Sequence, residues 1–438
     1  MQVNEEYFDT DDFRELLESY ETSIEAGHPV FMDADDLVDI ADYYNAHDDY
    51  DKAVEAIDYA LELYPRATLP NVFKARDALM KGDFEAARQY ADNIEEHDDP
   101  DYHYLQAELL VAEDRIDEAD RYLREYGKTV DAEEYQDFVK DCANLYIDYD
   151  VNDKAYEWML RCKADDSDDF KELMARTLFG LGKYNDSERI FNELIDRHPF
   201  SKHYWNALAS AQFMRQDYSG SVSSSEYAIA IDPHDPEGLL TKANGLFQLE
   251  NYDEALKYYQ RYVEEVPEDE PALESIYMEL AFCYSHNRQI DKAIEMLDKA
   301  GGDAIDKMVV KGHLLLENER VEEALEAFQT AINMSDSTPS VLLRIIVSLY
   351  DNRYLTACYE MFGKYFEYIR ATAPDCPDGY AYMALCCYDM GRKGEFLHYL
   401  REAVKRNPQE ARLVLGFLFP DDVEPKDYYE HYLQHLKQ

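Results

Sequence analysis

Four stretches of this 438-residue chain place reactive residue types at spacings that imitate chemical sites. Gly127-Lys128-Thr129 ends like a phosphate-binding loop, which uses backbone N–H groups to cradle phosphates. That loop also requires a glycine five residues before Gly127, and Tyr122 stands there, within a helical pattern rather than after a strand. Asp148, Asp150 and Asn152 imitate the start of a calcium loop, but Asp153 and Met159 replace its obligatory turn glycine and its bidentate glutamate. Gly180-x-Gly182 has no strand ahead of it and so no dinucleotide-binding context. His431 and His435 lie four apart on a helical segment and could share a metal ion. Tyr432-Leu433 replaces the Glu-x of a zinc peptidase, and no third ligand is evident. A metal-dependent enzyme built on these histidines is the weakest of three functional readings. The leading expectation is no catalysis and no cofactor.

Such side chains need elements to position them, and the elements are legible from a period. Small residues recur at Ala53, Ala87, Ala119, Ala155, Ser187, Ser221, Ala255, Ala293, Ala324 and Ala357, about every 34 residues. A second small residue precedes nearly every one by twelve places: Ala41, Ala75, Ala107, Ala143, Ala175, Ala209, Ala243, Ala281 and Gly312. Paired small residues at a fixed period imply two closely touching helices per unit, and units that stack. Between Lys202 and Asp235, Trp205, Leu208, Ala209 and Gln212 share one helical face. Gln216-Asp217-Tyr218 breaks the pattern, Ser221, Ser225 and Ala228 stripe a second helix, and Pro233 ends it.

This pattern resembles the tetratricopeptide repeat (TPR), whose signature is W-x2-L-G-x2-Y, then A-x3-F, then P. The resemblance covers residues 34–410 and implies an all-α fold, a right-handed superhelical solenoid of about eleven stacked helix-turn-helix repeats with capping helices. The expected organisation is an N-terminal capping helix in 1–33, the array in 34–410 and C-terminal capping helices in 411–438. Thr10 caps the first of these, and Pro408 and Pro425 open the last two. Two repeats depart from the pattern: Ile345 stands where a small residue belongs, and bulky Phe396 takes the small place of the last second helix.

The resemblance also implies that the first helix of each repeat lines an inner wall. At its inward places the early repeats offer Asp35, Asp42, Asp101, Glu108, Asp137 and Asp148, an acidic mouth. The middle repeats offer Arg176, His203, Asn206, Ser210, Phe213, Asn244, Phe247, Phe282, His286 and His313, which are the expected partner-binding residues. Amides there can bond a peptide backbone and rings supply buried area. Late inward places (Val309, Ile346, Tyr382, Leu385) turn apolar, as if covered by a packed tail. One branch of the family clamps chaperone C-termini with Lys, Arg and Asn. Asn244 matches one such place, but Leu240 replaces the lysine, so that ligand is not expected.

Charge completes the reading. The chain carries 94 acidic residues against 43 Lys plus Arg, a formal net of −51, with 43 of the acids in the first 150 residues. That field repels phosphate backbones and draws basic segments. The expected function is therefore a non-enzymatic scaffold or adaptor that holds a peptide or helical, Lys/Arg-rich segment of a partner protein. No nucleic-acid or membrane partner is expected, and the chain is expected to be a monomer or weak homodimer. A self-associating structural protein is the alternative. No secretory leader or 18-residue apolar span is visible, and the seven cysteines form no C-x-x-C pair, which together suggest a cytoplasmic protein with reduced thiols.

Overall fold

The computed structural model describes residues 5–8, 10–27, 32–47, 49–162, 165–335, 338–420 and 422–435, and among these there are helices and turns but no strand. The chain divides into two compact units, Met1–Asp217 and Tyr218–Gln438.

The first unit opens with α1 (Glu5–Phe8) and α2 (Asp11–Glu25). Five antiparallel pairs follow: α3 (Ala34–Ala46) with α4 (Tyr50–Leu63), α5 (Thr68–Met80) with α6 (Phe84–Asn93), α7 (Pro100–Ala112) with α8 (Ile116–Tyr126), α9 (Tyr135–Asp148) with α10 (Asn152–Met159), and α11 (Asp168–Gly180) with α12 (Tyr184–Arg197). The final helix, α13 (Lys202–Met214), packs on α12. The second unit begins with α14 (Tyr218–Ile231) against α15 (Pro236–Gln248). Its pairs are α15 with α16 (Tyr252–Glu265), α17 (Leu273–His286) with α18 (Ile290–Lys299), α19 (Ala304–Glu317) with α20 (Val321–Met334), α21 (Thr338–Asp351) with α22 (Leu355–Thr372), and α23 (Tyr380–Asp389) with α24 (Lys393–Arg406). Behind them lie α25 (Pro408–Leu415) and α26 (Tyr428–His435).

Local chemistry explains where these helices begin. Asp33, Asp49, Asp83, Asp99, Ser167, Ser201, Asp235 and Asp303 each cap a helix by accepting a backbone N–H in its first turn. The turn inside each pair is equally regular. Gly82, Asp114, Asp150, Gly182, Gln216, Glu250, Arg288, Glu319, Arg353 and Gly391 all have positive φ, each two residues before a second helix. The N–H after each one returns to a carbonyl five residues back, as from Val151 to Tyr146 O at 2.8 Å. This left-handed stop closes the first helix and reverses the chain.

Within each unit the paired small residues sit at the helix crossings. Ala41, Ala53, Ala75, Ala87, Ala107, Ala119, Ala143 and Ala155 are all fully buried. The Ser187 hydroxyl donates to Ala175 O at 2.9 Å, across the crossing of α12 and α11. At Gly312 a Cβ would stand 2.2 Å from the Phe328 ring, so glycine alone lets that ring lie on α19. One place in the series needs correction. Ala357 is exposed, and fully buried Cys358 occupies the crossing, 34 residues after Ala324. Ile345 and Ile346 are both buried opposite it, so this crossing pairs a bulky helix face with a small thiol. At the last pair, buried Phe396 meets the ring of Tyr432 on α26 at 4.7 Å, which accounts for its size.

The termini pack on their neighbours. Thr10 accepts from Phe13 N, and the Phe13 ring lies 5.3 Å from Tyr43 on α3. At the other end α25 packs on α23 and α24, and Phe419 stacks on Tyr428 at 3.9 Å. Val309, Ile346 and Leu385 are buried, while Tyr382 is half-buried.

Candidate partner-binding cleft

A cleft of about 1480 Å³ opens in the first unit between the first helices α5, α7 and α9 and the segment joining α8 to α9. Its position follows from that segment. Residues 127–134 place Thr129, Val130, Asp131 and Glu134 along one side of the cleft. Phe138 from α9 lies where a Cβ on Gly127 would be, 2.6 Å from its Cε1, so the missing side chain lets the ring dock on the end of α8. Gly127-Lys128-Thr129 thus shapes a cleft edge rather than a phosphate loop, and Lys128 is paired with Glu125 at 2.6 Å.

Nine carboxylates line the space: Asp98, Asp101, Glu108, Glu125, Asp131, Glu134, Asp137, Asp141 and Asp148. Arg76 is the one Lys or Arg among the lining residues. The rings are Tyr104, Tyr122, Tyr126, Phe138 and Tyr149, with His103 stacked on Tyr126 at 3.7 Å and 2.7 Å from the Tyr122 hydroxyl. Burial pulls the His103 pKa down, so this imidazole adds no positive charge at neutral pH.

Several carboxylates are already engaged. Arg76 holds Glu108 in a two-pronged pair, Nε to Oε2 at 2.8 Å and Nη2 to Oε1 at 2.8 Å. Asp137 meets Lys140 at 2.7 Å, and Asp148 accepts from Asn144 at 3.1 Å. Asp141 accepts only a hydroxyl, from Tyr104 at 2.9 Å. Among the described residues no ion pair reaches Asp98, Asp101, Asp131, Glu134 or Asp141. Desolvation raises the pKa of Asp101, with Asp99 adding to it, and desolvation likewise raises Asp141 against the opposing Tyr104 bond. Asp101 and Asp141 thus lie partly desolvated among like charges, with no ion pair of their own. A ligand carrying positive charge would relieve that cost.

Asp101, Glu108, Asp137 and Asp148 of the acidic mouth meet in this cleft, whereas Asp35 and Asp42 lie outside its lining. The ten expected partner-binding residues are elsewhere. In the first unit, Arg176 bonds Asn144 at 3.1 Å, and His203 meets Glu172 at 3.1 Å and holds that carboxyl below its ordinary pKa. Asn206 is 1% exposed, which withdraws it from solvent, and Ser210 and Phe213 are half-buried. In the second unit, Asn244 accepts from the Tyr259 hydroxyl at 2.8 Å, Phe247 packs edge-on to Tyr252 at 5.3 Å, and His313 faces Asn352 at 3.4 Å. Phe282 and His286 are exposed, the latter with its ring 4.0 Å from Tyr252. The sequence reading missed Tyr104, Tyr126, Phe138 and Asp141.

The imitations of metal sites dissolve into structure. Asp150 is a left-handed turn residue, Asn152 donates to it at 2.6 Å, and Asp148 lies beside Arg176 at 3.4 Å. His431 lies 6.0 Å from the Phe419 ring, while the side chain of His435 is outside the described residues. Among the described residues no group of His, Cys, Asp and Glu could hold a metal ion, and no helix is long and apolar enough to cross a membrane.

The regular crossings and turns agree with what known families record. Residues 173–236 and 237–269 match two sequence patterns, each described as tetratricopeptide repeat. The chain carries tetratricopeptide repeats over residues 173–269. It is a scaffold of the protein-interaction kind. Among solved structures, MamA from Desulfovibrio magneticus RS-1 is similar at 18% identity over 40% of this chain and 100% of that one, with a TM-score of 0.35. Another MamA crystal structure aligns at 15% identity over 39% and 95%, with a TM-score of 0.33. A chain of the APC/C hetero-tetramer Cut9-Hcn1 aligns at 13% identity over 96% and 93%, with a TM-score of 0.31. No curated protein matches in sequence.

Proposed function

We propose that this TPR protein is a non-enzymatic adaptor that holds a Lys/Arg-rich segment of a partner protein in the cleft of α5, α7 and α9. The observation that carries the reading is nine carboxylates and five aromatic side chains around one guanidinium in a space of about 1480 Å³. Carboxylates attract and orient cations, and tyrosine faces accept the flat or alkyl parts of Arg and Lys. The occupant is a different protein rather than this chain. A second copy would bring a charge of −51, and no run of more than two consecutive Lys or Arg occurs anywhere in the sequence.

The test is a fluorescence-anisotropy titration of the full chain with a labelled nonaarginine peptide. In Asp101→Asn/Asp137→Asn/Asp141→Asn the affinity is expected to fall tenfold or more, about 1.4 kcal/mol. Glu268→Gln/Glu322→Gln/Glu326→Gln removes the same charge from exposed positions of the second unit and should change it less than threefold. Equal losses in both variants would reduce the cleft to one part of a general electrostatic field.

A second contact is favoured by one observation in the other unit. Phe282, 39% exposed, and exposed His286 over Tyr252 form an aromatic surface on α17, which a further segment of the same partner could cover.

A further inference from the structure

We infer that Glu108 is an arginine-selective subsite and that Arg76 occupies it in place of the partner's arginine. This rests on the reading of the cleft as a basic-segment site and names which basic residue it takes.

Arg76 and Glu108 stand directly after the small residues Ala75 and Ala107 on successive first helices, and so face each other across α5 and α7. The Glu108 side chain is 11% exposed and that of Arg76 is 36% exposed. A carboxylate this dehydrated is costly without a cation and close hydrogen bonds. Arg76 supplies both, through two parallel N–H···O contacts at 2.8 Å. Its guanidinium is also within the electrostatic reach of Asp42 and Asp101. It therefore has other carboxylates to turn to once displaced. A cation that takes Glu108 from it must reproduce the two-pronged geometry. A second guanidinium does so, whereas an ammonium is a point charge on a single bond. The exchange leaves the number of pairs on Glu108 unchanged and adds a cation to the uncompensated carboxylates around it.

The experiment compares labelled nonaarginine and nonalysine binding to the full chain by anisotropy. Wild type is expected to bind nonaarginine at least tenfold more tightly. Arg76→Met leaves Glu108 open to either cation, so nonalysine should tighten at least fivefold and the preference should narrow to threefold or less. Arg76→Lys keeps a cation beside Glu108 and serves if the methionine variant does not fold. With only a point contact to displace, nonaarginine should tighten at least threefold. Equal affinities of wild type for the two peptides, or a preference unchanged in both variants, would overturn the inference while leaving the cleft reading intact. Absence of binding by wild type and by both Arg76 variants would instead overturn the cleft reading and this inference together.

Discussion

The same place in successive repeats carries different chemistry in the two units. Directly after the small residue of the first helix, the first unit places Asp42, Arg76, Glu108, Asn144, Arg176 and Ser210. The second places Asn244, Phe282, His313 and Leu385 there, and Val347 after bulky Ile346, which takes the small place. The backbone at these places is alike: each is on a first helix and precedes a left-handed turn where one is described. Fold and recognition are thus written in adjacent positions. One small residue sets how closely two helices approach, and its neighbour decides whether the exposed face attracts cations or buries carbon. Charge follows the same division, with 55 acids against 22 bases in residues 1–217 and 39 against 21 in residues 218–438.

The largest expected effects separate stability from binding. Phe362 is fully buried and stacks on Phe366 at 5.9 Å, so Phe362→Ala should cost about 3–5 kcal/mol while nonaarginine affinity stays within twofold. Trp158→Ala should cost a similar amount, because Trp158 is buried and donates to Asp120 at 3.1 Å. It should also weaken the peptide, since its ring braces Phe138 of the cleft at 5.6 Å. Chemical denaturation and anisotropy on the same samples check both. A Phe362 variant that loses binding would break the comparison.

Crossings come next. Ala143→Leu in the first unit and Gly312→Ala in the second should each cost about 1–3 kcal/mol, since neither site has room for added carbon. Gly363 lies in α22 with nothing within 4 Å of the place a Cβ would take, and Gly363→Ala should instead stabilise by about 0.5–1 kcal/mol. Denaturant midpoints of the three variants read this directly.

Most of the helical arrangement was legible because alanine and serine recur at crossings, and a crossing tolerates little else. The exception is instructive. At the crossing of α21 and α22 cysteine does the work of alanine, and an exposed Ala357 beside it drew the reading one residue off. An unbroken 34-residue step from Ala324 to Cys358 was the available signal. The cleft was half legible. Asp101, Glu108, Asp137 and Asp148 follow from repeat position, and the acidic imbalance was plain. Asp141, Tyr126 and Phe138 were not, because their meeting depends on how residues 127–134 set α8 beside α9, which no helical period encodes.

A smaller effect is expected from pH. Asp101 and Asp141 have pKa values raised by burial, Asp101 facing Asp99 and Arg76, and Asp141 facing Tyr104, Asp137 and Lys140. A raised carboxyl holds its proton in the folded protein above the ordinary value of 3.8, so each favours the fold at low pH and loses that contribution as pH rises through the folded value. Binding runs the other way. A cation prefers the ionised forms, so peptide affinity should climb with pH across the same window and then level off. In Asp101→Asn/Asp141→Asn this climb should flatten. A climb of full size in that variant would assign the titration to other acids.

The smallest effect concerns the turns, where the two units differ again. The first unit meets its left-handed φ with Gly82, Asp114, Asp150, Gly182 and Gln216, whereas the second uses Glu250, Arg288, Glu319 and Arg353 before Gly391. A side chain with a Cβ in this conformation costs roughly 1–2 kcal/mol, which Asp tolerates better than Glu or Arg. Glycine removes that strain but gives up about 0.5–1 kcal/mol of chain entropy on folding. Glu250→Gly, at φ 59°, should therefore stabilise the protein by roughly 0.5 kcal/mol. Gly182→Ala, at φ 70°, should destabilise it by about 1 kcal/mol although nothing lies within 4 Å of the added carbon. Denaturant titration with amide exchange at Leu246 and Asn251 resolves effects of this size. Opposite signs for the two variants would place the cost in backbone conformation, and a loss in both would place it in contacts made by the Glu250 side chain.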